Sequence, residues 1–135
     1  MMMKKFKFLM FIDDDNATNF YHEIIVEESG LCDKYIFFNK AENALTYLKN
    51  MTVPNEQVPD IIFLDINMPM IDGWKFLELY AELDIPKSSI IIMLTTSLNP
   101  KDQERVEKNE LVRNFLNKPL DSDKLQKMIT DFYEV

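Results

Sequence analysis

The chain has 135 residues, enough for one domain of ordinary size and too few for two full cores. Asp and Glu outnumber Lys and Arg by 23 to 15, so the net charge of −8 repels phosphate backbones and argues against direct nucleic-acid binding. Apolar residues make up 47% of the chain, yet no run approaches the roughly 18 needed to span a bilayer, and no membrane partner is expected.

In chain order, the first apolar run covers residues 6–12. Lys4 and Lys5 precede it, but it contains Lys7 and ends in Asp13, Asp14 and Asp15 instead of the small residues of a cleavage site. It reads as a strand and not as a signal peptide. Asp15 then reads as a capping residue for a first helix, whose apolar stripe is expected to be Phe20, Tyr21, Ile24 and Ile25, ending at Gly30. Cys32 is the sole cysteine, so no internal disulfide forms and a cytoplasmic setting is expected.

Residues 35–38 form the second apolar run, and Ala41, Leu45 and Leu48 give a second helical stripe. A polar loop, Asn55 to Gln57 between Pro54 and Pro59, leads to a third run at residues 61–64. Trp74, Leu77 and Ala81, flanked by Phe76 and Tyr80, mark a third helix. A fourth run at 90–94 is followed by Asn99–Pro100, an N-cap with Pro at the first helical position, opening a charged helix around 101–108. The fifth run is 112–116. Asp121 or Ser122 can cap a last helix whose apolar face carries Leu125, Met128, Ile129 and Phe132. Short apolar runs without alternation suit strands buried on both faces of a parallel sheet. Five strand–helix repeats predict a (βα)5 doubly wound α/β fold, one domain over residues 1–135 with nothing left for a second.

Open parallel sheets bind ligands outside the carboxyl ends of their strands. Here those ends carry Asp13 and Asp14, then Asp65, then Thr95, then Lys118. Two unit charges about 4 Å apart repel by ~4 kcal/mol at an effective dielectric near 20. Converging Asp13, Asp14 and Asp65 therefore need positive charge, and one lysine does not neutralise three carboxylates. A hard divalent cation completes the set, and a few oxygen ligands beside a phosphoryl oxygen suit Mg²⁺. Asp65 could then attack a phosphoryl group while Lys118 and the Thr95 hydroxyl meet its oxygens. Singly, each residue has a plain structural role: a turn aspartate, a surface lysine, a strand-end hydroxyl. The argument rests on all four strand ends carrying the required chemistry together.

The segment Asp65-Ile-Asn-Met-Pro-Met-Ile-Asp-Gly73 is similar to the D-x-x-M-P-x-x-D-G signature of response-regulator receiver domains, CheY-like proteins of two-component signalling. With the acidic end of the first strand, the likeness runs through essentially the whole chain. It implies a flavodoxin-like strand order of 2-1-3-4-5 and phosphorylation on Asp65. It also implies Mg²⁺ ligation by Asp14 directly, by Asp13 mainly through water, by Asp65, and by the Asn67 backbone carbonyl. Thr95 and Lys118 would contact the phosphoryl oxygens, and the Lys118–Pro119 bond would be cis. Thr95 and Phe115 would form the switch that reshapes the surface of the fourth helix, fifth strand and fifth helix for a downstream protein. The donor would be a sensor histidine kinase or a histidine phosphotransfer protein, and the chain a stand-alone, self-catalysing acceptor and not an enzyme in the ordinary sense.

Two departures from the family pattern are evident. Phe115 lacks the hydroxyl often found at the switch aromatic, and Thr96 stands where Ala or Gly is common. Thr96 is read as restricting water or partner access, and Asn67 and Ser97 as further determinants of the phosphorylated lifetime. Phe115 could equally be a core aromatic. His22, the lone histidine, is read as a structural or surface residue. Two alternatives stand beside this reading. Asp13-Asp14-Asp15 partly imitates the D-x-D motif of haloacid dehalogenase-type phosphohydrolases, although Ala17 departs from it and no cap insertion is present. A binding module independent of phosphorylation is the other.

Overall fold

The five apolar runs are the strands β1 (Phe6–Ile12), β2 (Cys32–Phe38), β3 (Ile61–Leu64), β4 (Ile90–Thr95) and β5 (Val112–Asn117) of a computed structural model. Between and after them lie α1 (Asn16–Ser29), α2 (Ala41–Lys49), α3 (Gly73–Ala81), α4 (Pro100–Lys108) and α5 (Ser122–Tyr133). The structure describes residues 5–51, 58–96 and 99–133, so the expected loop at 55–57 and Ser97 lie outside the described residues.

All strand pairings are parallel, in the order β2-β1-β3-β4-β5. This is the flavodoxin-like order anticipated above. The chain moves outward from β1 to β2, then crosses to β3 on the other side of β1. The carboxyl ends of β1 and β3 therefore flank the crevice where connections diverge, which is the ligand position in such sheets.

Alternate strand residues feed two cores. Met10, Ile12, Ile62, Leu64 and Met93 face α2, α3 and Val106 of α4. Leu9, Phe11, Ile61, Phe63 and Ile92 face Val26 of α1 and Leu125 and Ile129 of α5. Buried on both faces, β1 and β3 hold the sheet's central register against slippage, since a one-residue shift would exchange the two cores. β2 begins three residues before the expected 35–38 run. Asp33 and Lys34 belong to it because an edge strand tolerates exposed polar residues.

The capping assignments match the sequence reading. Asp15 and Asn99 accept from backbone N–H groups at the starts of α1 and α4, Gly30 ends α1 at φ 65°, and Asp121 accepts from the Lys124 N–H at 2.8 Å. The α1 stripe does not match. Phe20, Tyr21 and Ile24 are exposed, and the helix buries Asn19, His22 and Val26 instead. The buried face lies roughly opposite the expected stripe and carries two polar side chains beside Val26. No described helix is long and apolar enough to cross a membrane.

Candidate functional site

The backbone ladder fixes the acidic strand ends first. The Asp65 N–H donates to Ile12 O at 3.0 Å, and the Asp13 N–H donates to Phe38 O at 3.0 Å. Asp13 and Asp65 are buried side by side, whereas Asp14 is exposed. Asp13 Oδ1 accepts the Asp15 N–H at 2.9 Å. Asp15 turns away to open α1, accepting from the Ala17 N–H at 3.0 Å and the Thr18 hydroxyl at 2.8 Å. One carboxylate oxygen from each of Asp13, Asp14 and Asp65 lies within 4.8 Å of the others.

Lys118 arrives from the end of β5. Its N–H donates to Thr95 O at 2.9 Å, and the Lys118–Pro119 bond is cis, as the resemblance implied. Its ammonium pairs with Asp13 Oδ2 and lies 3.4 Å from Asp65 Oδ2, in a largely buried side chain. Thr95 is fully buried at the end of β4, while Thr96 and Asn67 are exposed. Phe115 is half-buried on β5, level with Met93 of β4, and packs against the α2–α3–α4 core.

The segment after Asp65 has a physical account residue by residue. A Cβ on Gly73 would stand 2.6 Å from Asp65 O and 3.0 Å from Ile66 Cα, so only glycine lets α3 begin against that backbone. The Gly73 N–H donates to Ile66 O at 2.8 Å, which clamps the loop shut. Asp72 caps α3 by accepting the Lys75 N–H at 2.8 Å, and Met70 takes a left-handed φ of 66° at the turn.

Three carboxylates and one ammonium leave two negative charges at this edge. The Asp65 pKa registers the imbalance: burial and then repulsion from Asp13 raise it above the ordinary value, against the opposing pull of Lys118 and a backbone hydrogen bond from Asn67. Burial disfavours the Lys118 charge, but hydrogen bonding and attraction to Asp13, then Asp65, outweigh it and raise its pKa. An oxygen-only, under-neutralised donor set, buried at Asp13 and Asp65 and open to solvent at Asp14, fits a hard divalent cation such as Mg²⁺.

A flavodoxin-like α/β protein with a lysine-bridged acidic crevice at its topological switch point is thus defined by fold and site. The chain belongs to the response regulator receiver domain family, which matches residues 9–130. It is 24% identical over 126 residues to a protein named "Probable methanogenesis regulatory protein FilR2" of Methanothrix harundinacea, covering 93% of this chain and 81% of that one. An uncharacterized response regulatory protein of Vibrio cholerae is 30% identical over 120 residues, covering 89% of this chain; the chain spans 46% of that relative's length. The crystal structure of a two component response regulator from Cytophaga hutchinsonii has a TM-score of 0.88 and 28% identity, covering 98% of this chain and all of that one. Family membership decides against the haloacid dehalogenase alternative. Receiver domains are signalling phospho-acceptors and generally bind Mg²⁺ at an acidic pocket, and this chain carries a cluster of Asp13, Asp14 and Asp65.

Of two further residues at the site, Asn19 went unread in the sequence and His22 was read only as structural or surface, of which the buried, structural role is the one found. The Asn19 side-chain N–H donates to Asp13 O at 2.9 Å, and His22 Nε2 accepts the Leu120 N–H at 3.2 Å, both in buried surroundings. No local signal marked them out, because α1 mixes polar and apolar residues, with Asn16, Thr18, Glu23 and Glu27 in the same helix.

Proposed function

We propose that Asp65 is the phospho-acceptor of a signalling switch within one receiver domain. One Asp65 carboxylate oxygen attacks the phosphorus of a phosphohistidine, the P–N bond breaks, and histidine leaves as the acyl phosphate forms. The Lys118 ammonium and Thr95 hydroxyl contact the phosphoryl oxygens. Asp13, Asp14, Asp65 and the Asn67 carbonyl would hold Mg²⁺, which when bound supplies charge neutralisation at the transferring group. The observation that carries this reading is the convergence of Asp13, Asp14, Asp65 and Lys118 at one sheet edge.

The donor is a histidine kinase or a histidine phosphotransfer protein. Exposed Phe20, Tyr21 and Ile24 follow the acidic end of β1, and exposed Met70 follows Asp65, so both acidic strand ends lead into apolar surface suited to docking it. Thr95 and Phe115 form the switch, read by a downstream protein on the face of α4, β5 and α5. A groove of about 240 Å³ beside Val106, Val112, Asn114 and Phe115 supports that assignment. The cytoplasm is the expected setting.

Incubation with acetyl phosphate and Mg²⁺, followed by intact mass measurement, tests the proposal. The wild type is expected to gain one phosphoryl group, which EDTA prevents and Asp65→Asn abolishes. Labelling that survives Asp65→Asn would place the chemistry elsewhere.

A further inference from the structure

We infer that α1 is a brace across this site, with Asn19 and His22 as positioning residues for its two halves. The inference rests on the phospho-acceptor reading of the acidic edge and extends it to residues that touch neither metal nor phosphoryl group. Asn19 holds the carbonyl of Asp13 at 2.9 Å. His22 holds the N–H of Leu120 at 3.2 Å, 98 residues away in sequence and two residues beyond Lys118. The two side chains share one helix face three residues apart, so one rigid element fixes both the acidic end of β1 and the turn that delivers Lys118.

The choice of residues argues that this face is not ordinary core. Asn19 and His22 are 8% and 1% exposed, while Phe20 of the same helix is 65% exposed. An apolar pair inward would bury more hydrophobic surface but would take these partners away from the Asp13 carbonyl and the Leu120 N–H. Asn19 Oδ1 is in fact buried with no hydrogen-bond partner, so this helix carries a buried polar atom that a leucine would lack. Phe11 packs against the His22 ring at 5.6 Å between centroids, fixing its plane. With Nε2 accepting, the ring proton sits on Nδ1. Burial and then the Lys118 charge push the His22 pKa down to about 4, so the ring is a neutral acceptor near pH 7. Asp13, Asn19, His22 and Asp65 also line a cavity of about 10 Å³, room for no more than one water, so the site has little slack beneath it.

The two arms predict different failures. Asn19→Leu removes the hold on Asp13 and is expected to weaken Mg²⁺ binding, by calorimetry, about tenfold, the low end for groups that orient metal ligands. His22→Asn keeps a small amide but falls short of Leu120, whereas His22→Gln places its oxygen where Nε2 was. His22→Asn is expected to leave Mg²⁺ affinity near the wild-type value. At saturating Mg²⁺, its acetyl phosphate labelling should slow about tenfold, and His22→Gln should recover most of that rate. A merely structural role would lower the melting temperature and move affinity and rate together in every variant. If Asn19→Leu does not fold, Asn19→Ala replaces it with the same expectation. Wild-type Mg²⁺ affinity in the Asn19 variant, or equal rates for the two His22 variants, overturns the brace while leaving the phospho-acceptor intact. A wild type that neither binds Mg²⁺ nor takes label overturns both. In the wild type, ¹⁵N shifts of His22 should report the Nδ1–H tautomer, and the Nε2–H tautomer would remove the Leu120 bond on which one arm depends.

Discussion

The Lys118 ammonium bridges Asp13 and Asp65, pairing with Asp13 Oδ2 while standing 3.4 Å from Asp65 Oδ2. A cation in this position does two opposed things. It relieves repulsion between the carboxylates, and it competes with a metal for them. Lys118→Ala is therefore expected to tighten Mg²⁺ binding, measured by calorimetry, because three carboxylates then face the ion alone. The same variant should lose acetyl phosphate labelling by roughly 10²–10³-fold, the cost of removing one preorganised charge donor from a transition state. Unchanged labelling would show that Lys118 serves only to pair Asp13.

Asp65 carries the charge imbalance as a stability cost. Its pKa is raised in the folded protein above the ordinary value of 3.8, chiefly by burial and then by Asp13. The folded state thus binds the Asp65 proton more tightly than the unfolded chain does, and ionising Asp65 destabilises the fold. That penalty is fully present above the raised pKa and vanishes below 3.8, where both states are protonated. In EDTA, Asp65→Asn should melt a few degrees above the wild type at neutral pH, with the margin closing as pH falls through the raised value. A margin independent of pH would detach it from Asp65 ionisation.

The sheet and the residues at four strand ends were legible because their signals are local. Phe8–Ile12 and Ile61–Leu64 are apolar without interruption, as strand segments covered on both faces must be, and the chemistry sits directly at their ends. The inward face of α1 was not legible. Phe20 and Ile24 have the spacing of a buried stripe, and nothing near them in sequence shows that Asn19 and His22 find partners at Asp13 O and at the Leu120 N–H. A polar residue becomes a core residue only through a partner, and the His22 partner is 98 positions away. The early start of β2 was missed for a related reason, since Asp33 and Lys34 belong to an edge strand that leaves them in water.

Gly73 ties the acceptor to the start of α3. An alanine Cβ there would meet backbone atoms of Asp65 and Ile66, at 2.6 and 3.0 Å, and not the movable end of a side chain. Gly73→Ala should therefore cost about 1–3 kcal/mol of stability, in the range of overpacked sites, and displace the Asp65 carbonyl. Denaturant unfolding measures the first effect. Slower acetyl phosphate labelling in the population still folded measures the second. A variant of wild-type stability would mean that α3 shifts freely away from β3.

Thr96 is exposed immediately after the buried Thr95, where many receivers carry Ala or Gly. If Thr95 meets the phosphoryl oxygens, the next side chain stands at the approach used by water, and a branched hydroxylated residue there restricts that approach. Thr96→Ala is expected to shorten the lifetime of the phosphorylated protein several-fold while leaving Mg²⁺ affinity unchanged, since Thr96 is not among the carboxylates that would hold the ion. The decay of the phosphorylated mass after removal of acetyl phosphate, followed at fixed Mg²⁺, gives the lifetime directly. An unchanged decay would assign control of water to the residues around Asn67 instead, and Asn67→Ala would then be the variant that shortens it.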